Sequence, residues 1–450
     1  MSEAATRYTA QVRYVIGYEA MERFAFYGTR AIVTSYLATF LVFPERDAKG
    51  WYHAFLMATY LTPLLGGWLA DRFWGRQATI LRVSFFSIAG YLVLALWQTP
   101  AGFVTGAALV AAGVGGILPG ASAFVGDQLP SGDPALLERV YGWFYWVINL
   151  GATIASLVVP FLLQRHGPAV AFAVPCLTMV AATLVFARGR RHYVASPPSG
   201  PKPHGFVRVV ARAVRRLGTH RSGEHWLDAA RDLHPAEAVE GARAVLRVLG
   251  IFAAVTVFWA LFDQTGSSWV IQAEKMTLEI GEWVLAPVQL LALNPLLVTI
   301  LVPVFTLVVF PRLEARGRLL TPLAKMRVGM IATVLSFAVA GTLQLVIDAG
   351  HAPSVLWQFP QYLLLTAGEV LVSVTGLEFS YTQAPRSMRS AIMSIWFLTV
   401  FLGNLLTLSV LTLVDLGDAA SLWFFAGIML AATLAFGAVA RRVTPPGRTE

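Results

Sequence analysis

Twelve apolar stretches, each long enough to cross a bilayer, follow one another along the chain. They lie at about 12–41, 51–70, 77–97, 103–125, 138–164, 168–187, 247–272, 286–310, 322–347, 355–380, 388–414 and 419–440. A spanning helix needs about 20 apolar residues, and lipid offers backbone amides no partner outside the helix. A chain patterned this way is predicted to be an all-α integral membrane protein. Composition agrees. Residues are 56% hydrophobic and only 13% charged, against about 25% charged in a soluble domain. That excludes a soluble enzyme built on one large core. The single cysteine, Cys176, excludes an internal disulfide and a cysteine-based metal cage. The first stretch carries charges that a signal peptide's apolar region lacks, so it is expected to remain as a span.

Arginine and lysine set the expected orientation. With the N-terminus in the cytoplasm, the inside segments collect Arg7, Arg13, Arg72, Arg76, Arg82, Arg139, the basic 188–247 connection, Arg312, Arg316, Arg318, Lys325, Arg327, Arg386, Arg389, Arg441, Arg442 and Arg448. The outside loops hold only Arg46, Lys49, Arg165 and Lys275. Both termini are therefore expected in the cytoplasm, with the protein in a cell (inner) membrane. Residues 188–246 divide six spans from six. The expected domains are a bundle over 1–187, a cytoplasmic linker over 188–246 and a bundle over 247–450, with the bundles pseudo-symmetric. The linker opens with Ser196-Pro197-Pro198-Ser199-Gly200-Pro201. Over 206–217, Phe206, Val207, Val210, Val214 and Leu217 alternate with Arg208, Arg212, Arg215 and Arg216. That pattern predicts a basic amphipathic helix on anionic membrane lipids or, equally, a solvated tether. Residues 224–247 read as a second polar helix feeding the seventh span.

One span is not apolar. Residues 19–30 read Glu-Ala-Met-Glu-Arg-Phe-Ala-Phe-Tyr-Gly-Thr-Arg. At about 100° per residue, Glu19, Glu22, Arg23, Phe26, Tyr27 and Arg30 share one helical face. A charge at membrane depth costs on the order of 3 kcal/mol and is tolerated facing a bundle interior or a wet cavity. Once the inside and outside bases are assigned, only Arg23 and Arg30 are left over, and both lie inside the first span. The face predicts either an ion-pair knot between helices or a polar binding site.

The loop after the second span, Gly67-Trp68-Leu69-Ala70-Asp71-Arg72-Phe73-Trp74-Gly75-Arg76, resembles the cytoplasmic signature of the major facilitator superfamily. Its Asp71, Arg72 and Arg76 can cap and pair helix ends when an inner mouth closes. Four further stretches make the resemblance more specific. Residues 19–28 match the pattern ExxERFxxYG. Phe144-Tyr145-Trp146-Val147-Ile148-Asn149-Leu150-Gly151 matches FYxxINxG. Phe258-Trp259-Ala260-Leu261-Phe262-Asp263-Gln264-Thr265-Gly266-Ser267-Ser268-Trp269 lies on the seventh span. Gly368-Glu369-Val370 and Gly376-Leu377-Glu378-Phe379-Ser380-Tyr381 lie on the tenth. Together they resemble the proton-coupled oligopeptide transporter family of that superfamily, in its animal-like bacterial branch.

The resemblance implies uptake of di- and tripeptides with protons by alternating access. It implies no enzyme activity, no cofactor, no metal and no nucleic-acid partner, and it leaves the oligomeric state open. A small peptide is a zwitterion, so its site needs cations for the carboxylate and an anion for the amine. Arg23 and Arg30 are the carboxylate candidates. Glu369, Asn149 and Asn294 are the candidates for amine and backbone. Tyr27, Tyr60 and Trp259 are expected as pocket walls at matching family positions, with Phe262 and Trp396 as further aromatics. Pro295 is expected to interrupt the eighth span. Glu378 is expected in a pairing near the cytoplasmic surface. Arg30 and Asp263 both fall in the outer half and are expected to pair as an extracellular gate. Glu19, Glu22 and His53 are the proton-coupling candidates, with His53 expected at the outer surface, at the start of the second span.

One position departs from the family. Its fourth-span pattern GxGGxKP reads Gly113-Val114-Gly115-Gly116-Ile117-Leu118-Pro119 here, with leucine for lysine. No lysine stands between Lys49 and Lys202 to replace it. Phe26 also replaces a family tyrosine. The loss bears on coupling and leaves alternatives open: an uncoupled peptide facilitator, a transport-dead peptide sensor, or a carrier of nitrate, an organic anion or a drug. Glu369 argues against a simple anion. No HExxH or G-x-S-x-G motif supports an intramembrane enzyme.

Overall fold

Spanning helices need only cover their apolar length and turn, and most of this chain does little else. A computed structural model describes residues 3–129, 134–195, 197–198, 200–201, 203–217, 225–317, 320–376, 379 and 389–440. Glu378, Arg318, Arg386 and the tail with Arg441, Arg442 and Arg448 lie outside the described residues.

The N-terminal half comprises α1 (Glu3–Ser35), α2 (Glu45–Leu69), α3 (Arg76–Leu96), α4 (Pro100–Asp127) and α5 (Pro134–Gly189). α5 is two spans joined at Gly167, whose φ of 80° breaks the helical path. After α6 (Phe206–Arg215) come α7 (Ala236–Phe262), α8 (Ser268–Glu274), α9 (Leu293–Pro303), α10 (Phe310–Ala315), α11 (Pro322–Asp348), α12 (Phe359–Glu369), α13 (Arg389–Leu413) and α14 (Asp418–Ala440). The pieces α7 with α8, and α9 with α10, each make one crossing, so twelve crossings result. Among the described residues, eight helical stretches qualify as spans on length and hydropathy alone; α1, interrupted by Glu19, Glu22, Arg23 and Arg30, is not among them. A two-stranded hairpin, β1 (Glu279–Ile280) and β2 (Trp283–Val284), closes the loop after α8.

Among the described residues the two large hydrophobic cores lie one in each half. In the first, α1 packs on α5, and α4 packs on α2 and α3. The glycines of the fourth span make that approach possible. A Cβ on Gly66 of α2 would sit 2.4 Å from Gly116 Cα of α4. Gly75, at φ 74°, makes the turn from α2 into α3 in a conformation that side chains resist. In the second half, α11 packs on α12 and α14, and α7 packs on α13 and α14.

The linker is less separate than its sequence suggests. Tyr193 packs on Phe124 and Phe186, and the Gly200 amide donates to the Asp71 carbonyl. Farther on, Val209 and Ala213 of α6, with Leu227 and Ala230, are buried in the C-terminal core. The polar helix expected over 224–247 is a short 3-10 turn, Trp226–Ala230, followed by α7, which starts at Ala236 and runs straight into the span. Ala238, Ala242 and Val245 are buried along that extension and give it a continuous packed face.

Candidate functional site

Polar side chains from both halves meet at the end of the bundle away from the termini, and the seventh span makes this possible. It is helical to Phe262, tightens to a 3-10 turn over Asp263–Gly266, and resumes at Ser268. The break frees backbone that a neighbour can satisfy, a device tolerated at membrane depth only inside protein. Thr34 of α1 donates to the Gly266 carbonyl at 2.6 Å. Beside it, Arg30 Nη2 contacts Asp263 Oδ1 at 2.6 Å, and Arg30 Nε donates to Tyr52 Oη at 2.9 Å. Asp263 is 1% exposed.

His53 stands in the same layer and corrects the expectation of a surface histidine. α2 starts at Glu45, so His53 lies two turns inside it and is fully buried. Its Nδ1 is 2.7 Å from Asn404 Oδ1, and its Nε2 is 2.9 Å from Ser267 Oγ. Asn404 in turn donates to Asp263 Oδ2 at 2.7 Å. The early start of α2 also carries Lys49 inward. It is 6% exposed and pairs with Asp418 at 2.8 Å, so Arg23 and Arg30 are not the only buried bases. Lys275 bridges Glu45 and Asp418, and Arg46 reaches Asp415 and the last carbonyls of α13. These cross-half contacts close the end away from the termini.

Deeper along α1, Arg23 pairs with Glu22 at 2.5 Å and with Glu19 at 3.3 Å. The knot is incomplete. Glu19 Oε2 and Glu22 Oε1 are buried without a hydrogen-bond partner, and Arg23 Nη2 lies close to Glu22 in a geometry that makes no hydrogen bond. Leu118, where the family pattern has lysine, packs against the apolar N-terminal core.

Across the bundle, Glu369 ends α12, and a wider π-type turn, Val370–Val374, begins at the next residue. Such turns occur often at functional sites. Asn294 donates to Glu369 Oε2 at 2.7 Å and to Thr366 Oγ1 at 3.1 Å. Pro295 does not interrupt its helix. It occupies the first turn of α9, where its missing N–H leaves no bond unmade, and the 3-10 segment Pro287–Ala292 precedes it. Tyr27 lies within electrostatic reach of Arg23, Arg30 and Glu369, and Tyr60 within reach of Arg30 and Asp263. Trp259 is half-buried against Phe262 and Trp396. Among the described residues no side-chain bond joins Asn149 to this group; it donates to the Tyr145 carbonyl at 2.9 Å.

Asp71, Arg72 and Arg76 lie at the opposite end, away from this layer. Arg76 pairs with Asp127 at 2.5 Å and ties the start of α3 to the end of α4, while Arg72 lies against the Phe73 ring.

The fold and these motifs have close counterparts. Residues 77–426 match the pattern described as the POT family. Solute carrier family 15 member 2 of Oryctolagus cuniculus is 35% identical over 393 residues, covering 82% of this chain. The chain belongs to the proton-coupled oligopeptide transporter family. A crystal structure of an auto-inhibited POT family peptide transporter superposes with a TM-score of 0.90 at 37% identity, covering 98% of each chain. The POT family transporter PepTSo does so at 0.89 and 39%, covering 96% of this chain and 98% of its own. The chain spans 54% of the rabbit relative's length. Members of the family are multi-pass membrane transporters, not enzymes, and the twelve-crossing bundle is the major facilitator architecture.

Sequence reading missed Asn404, Ser267 and Lys49. Asn404 carried a signal, being a lone amide within the apolar run Phe401-Leu402-Gly403-Asn404-Leu405-Leu406. Lys49 carried none, since only the start of α2 at Glu45 takes it out of the loop.

Proposed function

We propose that the chain imports di- and tripeptides together with protons by alternating access, in a cell inner membrane with both termini cytoplasmic. One observation carries the reading: buried cations on α1 and a half-buried carboxylate on α12 both lie within electrostatic reach of Tyr27. That spacing of opposite charges suits a zwitterion and suits a simple anion poorly. Arg23 and Arg30 take the peptide carboxylate. Glu369 takes the amine, with Asn294 and Asn149 on the backbone. Tyr27, Tyr60 and Trp259 wall the side-chain pockets. His53, Glu19 and Glu22 take protons, and Arg30 with Asp263 forms the extracellular gate, closed in this state. Asp71, Arg72 and Arg76 serve the cytoplasmic mouth. Each ligand drives the cycle only through its different affinity for the two states.

The units are bundles over 1–187 and 247–450 joined by the 188–246 linker. α6 rests on anionic lipid headgroups. Its Val207 and Val214 are exposed beside Arg208 and Arg215, whereas Arg212 and Arg216 are engaged by Asp232.

Binding to purified protein tests the dipolar site. Dialanine should bind at least about tenfold more tightly than N-acetyl-dialanine, a difference of about 1.4 kcal/mol. Glu369→Gln should shrink that gap. Equal affinity for the two peptides, or binding of neither, contradicts the reading.

A further inference from the structure

Asn404 belongs to none of the motifs above, yet it joins the two groups on which a proton-driven gate depends. It is fully buried in α13. Its amide nitrogen donates to Asp263 Oδ2 at 2.7 Å and to the Val400 carbonyl at 2.9 Å. Both partners accept, so the NH2 group is fixed on that side and Oδ1 faces His53. An amide oxygen only accepts, so the hydrogen in the 2.7 Å contact belongs to His53 Nδ1. The neutral ring then keeps its lone pair on Nε2, where the Ser267 hydroxyl donates at 2.9 Å.

We propose that Asn404 is a positioning residue for the proton step: it holds neutral His53 as the Nδ1–H tautomer and presents Nε2 as the atom that takes the proton. This rests on the proton-coupled reading given above. Protonation at Nε2 breaks no bond to Asn404. The imidazolium still donates from Nδ1, and the new Nε2–H donates to Ser267 Oγ, whose own hydrogen turns away. A positive charge then stands one amide away from Asp263 and competes with Arg30 for that carboxylate. The groups facing this cluster are Arg30 from α1, Tyr52 from α2, Asp263 and Ser267 from the seventh span, and Asn404 from α13. Arg30 and Tyr52 approach the Asp263 side, and among the described residues Ser267 alone meets Nε2.

Nitrogen-15 histidine spectra of the full chain in detergent test the tautomer without altering Asn404. The His53 signals are identified by their loss in His53→Gln. A protonated Nδ1 and a bare Nε2 are expected in the neutral ring; the reverse tautomer overturns the proposal. Uptake of labelled dialanine into proteoliposomes across pH then tests the coupling. Asn404→Asp places a carboxylate against Nδ1 and favours the imidazolium, so the alkaline limb should move up by about one pH unit or more. Asn404→Leu should depress uptake and move the limb down. Rates that fall uniformly with an unmoved limb overturn the proposal. Wild-type uptake that ignores the pH gradient contradicts the transport reading instead, and the spectra still report on Asn404.

Discussion

Arg30 and Asp263 are 233 positions apart in the chain and 2.6 Å apart in the fold. The pair joins α1 of one half to the broken seventh span of the other, with both side chains almost wholly buried. Removing one partner of such a pair leaves an uncompensated charge and costs about 3–5 kcal/mol, whereas the intact pair adds little net stability. Such a pair suits the proposed gate, in which its engagement would depend on its neighbours. Arg30→Asp and Asp263→Arg should each abolish most dialanine uptake. The double swap should recover a measurable part, and a double no better than either single contradicts the pairing as a gate.

Glu19 Oε2 and Glu22 Oε1 are buried without a hydrogen-bond partner, and Leu118 stands where the family pattern has lysine. Leu118→Lys restores the family's cation on the fourth span. Peptide accumulation under a fixed pH gradient should rise several-fold if those acids couple through such a cation. An unchanged accumulation ratio would show that this chain couples without one.

Gly66 sits where α2 and α4 nearly touch, and an added Cβ meets backbone that cannot turn aside. Gly66→Ala should destabilise the fold by on the order of 2 kcal/mol, a typical overpacking cost. The check is a lower melting temperature in detergent. Gly142→Ala meets nothing within 4 Å and should melt like the wild type.

These residues show what was legible in the sequence. Gly66, Gly116 and the α1 face were visible as motif positions because membrane packing and buried charge restrict residue type strongly. The twelve spans were visible because lipid leaves no other backbone solution. Lys49 and His53 were misplaced because hydropathy finds where a helix turns apolar, and α2 begins six residues earlier, on the polar stretch Glu45–Gly50. The α6 docking was hidden for another reason. Val209 and Ala213, its buried positions, do not stand out from the exposed Val207 and Val214 until the partner surface is known.

His204 and His234 join the linker to the start of α7 through a 3.0 Å contact between their Nδ1 atoms. Burial, and then the neighbouring His204, hold His234 below its usual histidine range, against the pull of Asp232. A depressed value means the folded linker favours neutral His234. Its contribution is present above about pH 6.5, the unfolded value, and is lost as pH falls through the folded one. Amide protection over 225–240, corrected for the intrinsic exchange rate at each pH, should therefore fall between pH 7.5 and 5.5, with His234→Asn flattening the dependence. An acid-induced loss of protection that persists in His234→Asn assigns the effect to other groups.

Proton-coupled peptide import is tested most directly in proteoliposomes loaded to be alkaline inside, with labelled dialanine outside and a proton uncoupler as the control. Accumulation above the outside concentration, collapsing to equilibrium when the uncoupler is added, is the expected result. Equilibration unaffected by the gradient, or binding with no uptake, would contradict it.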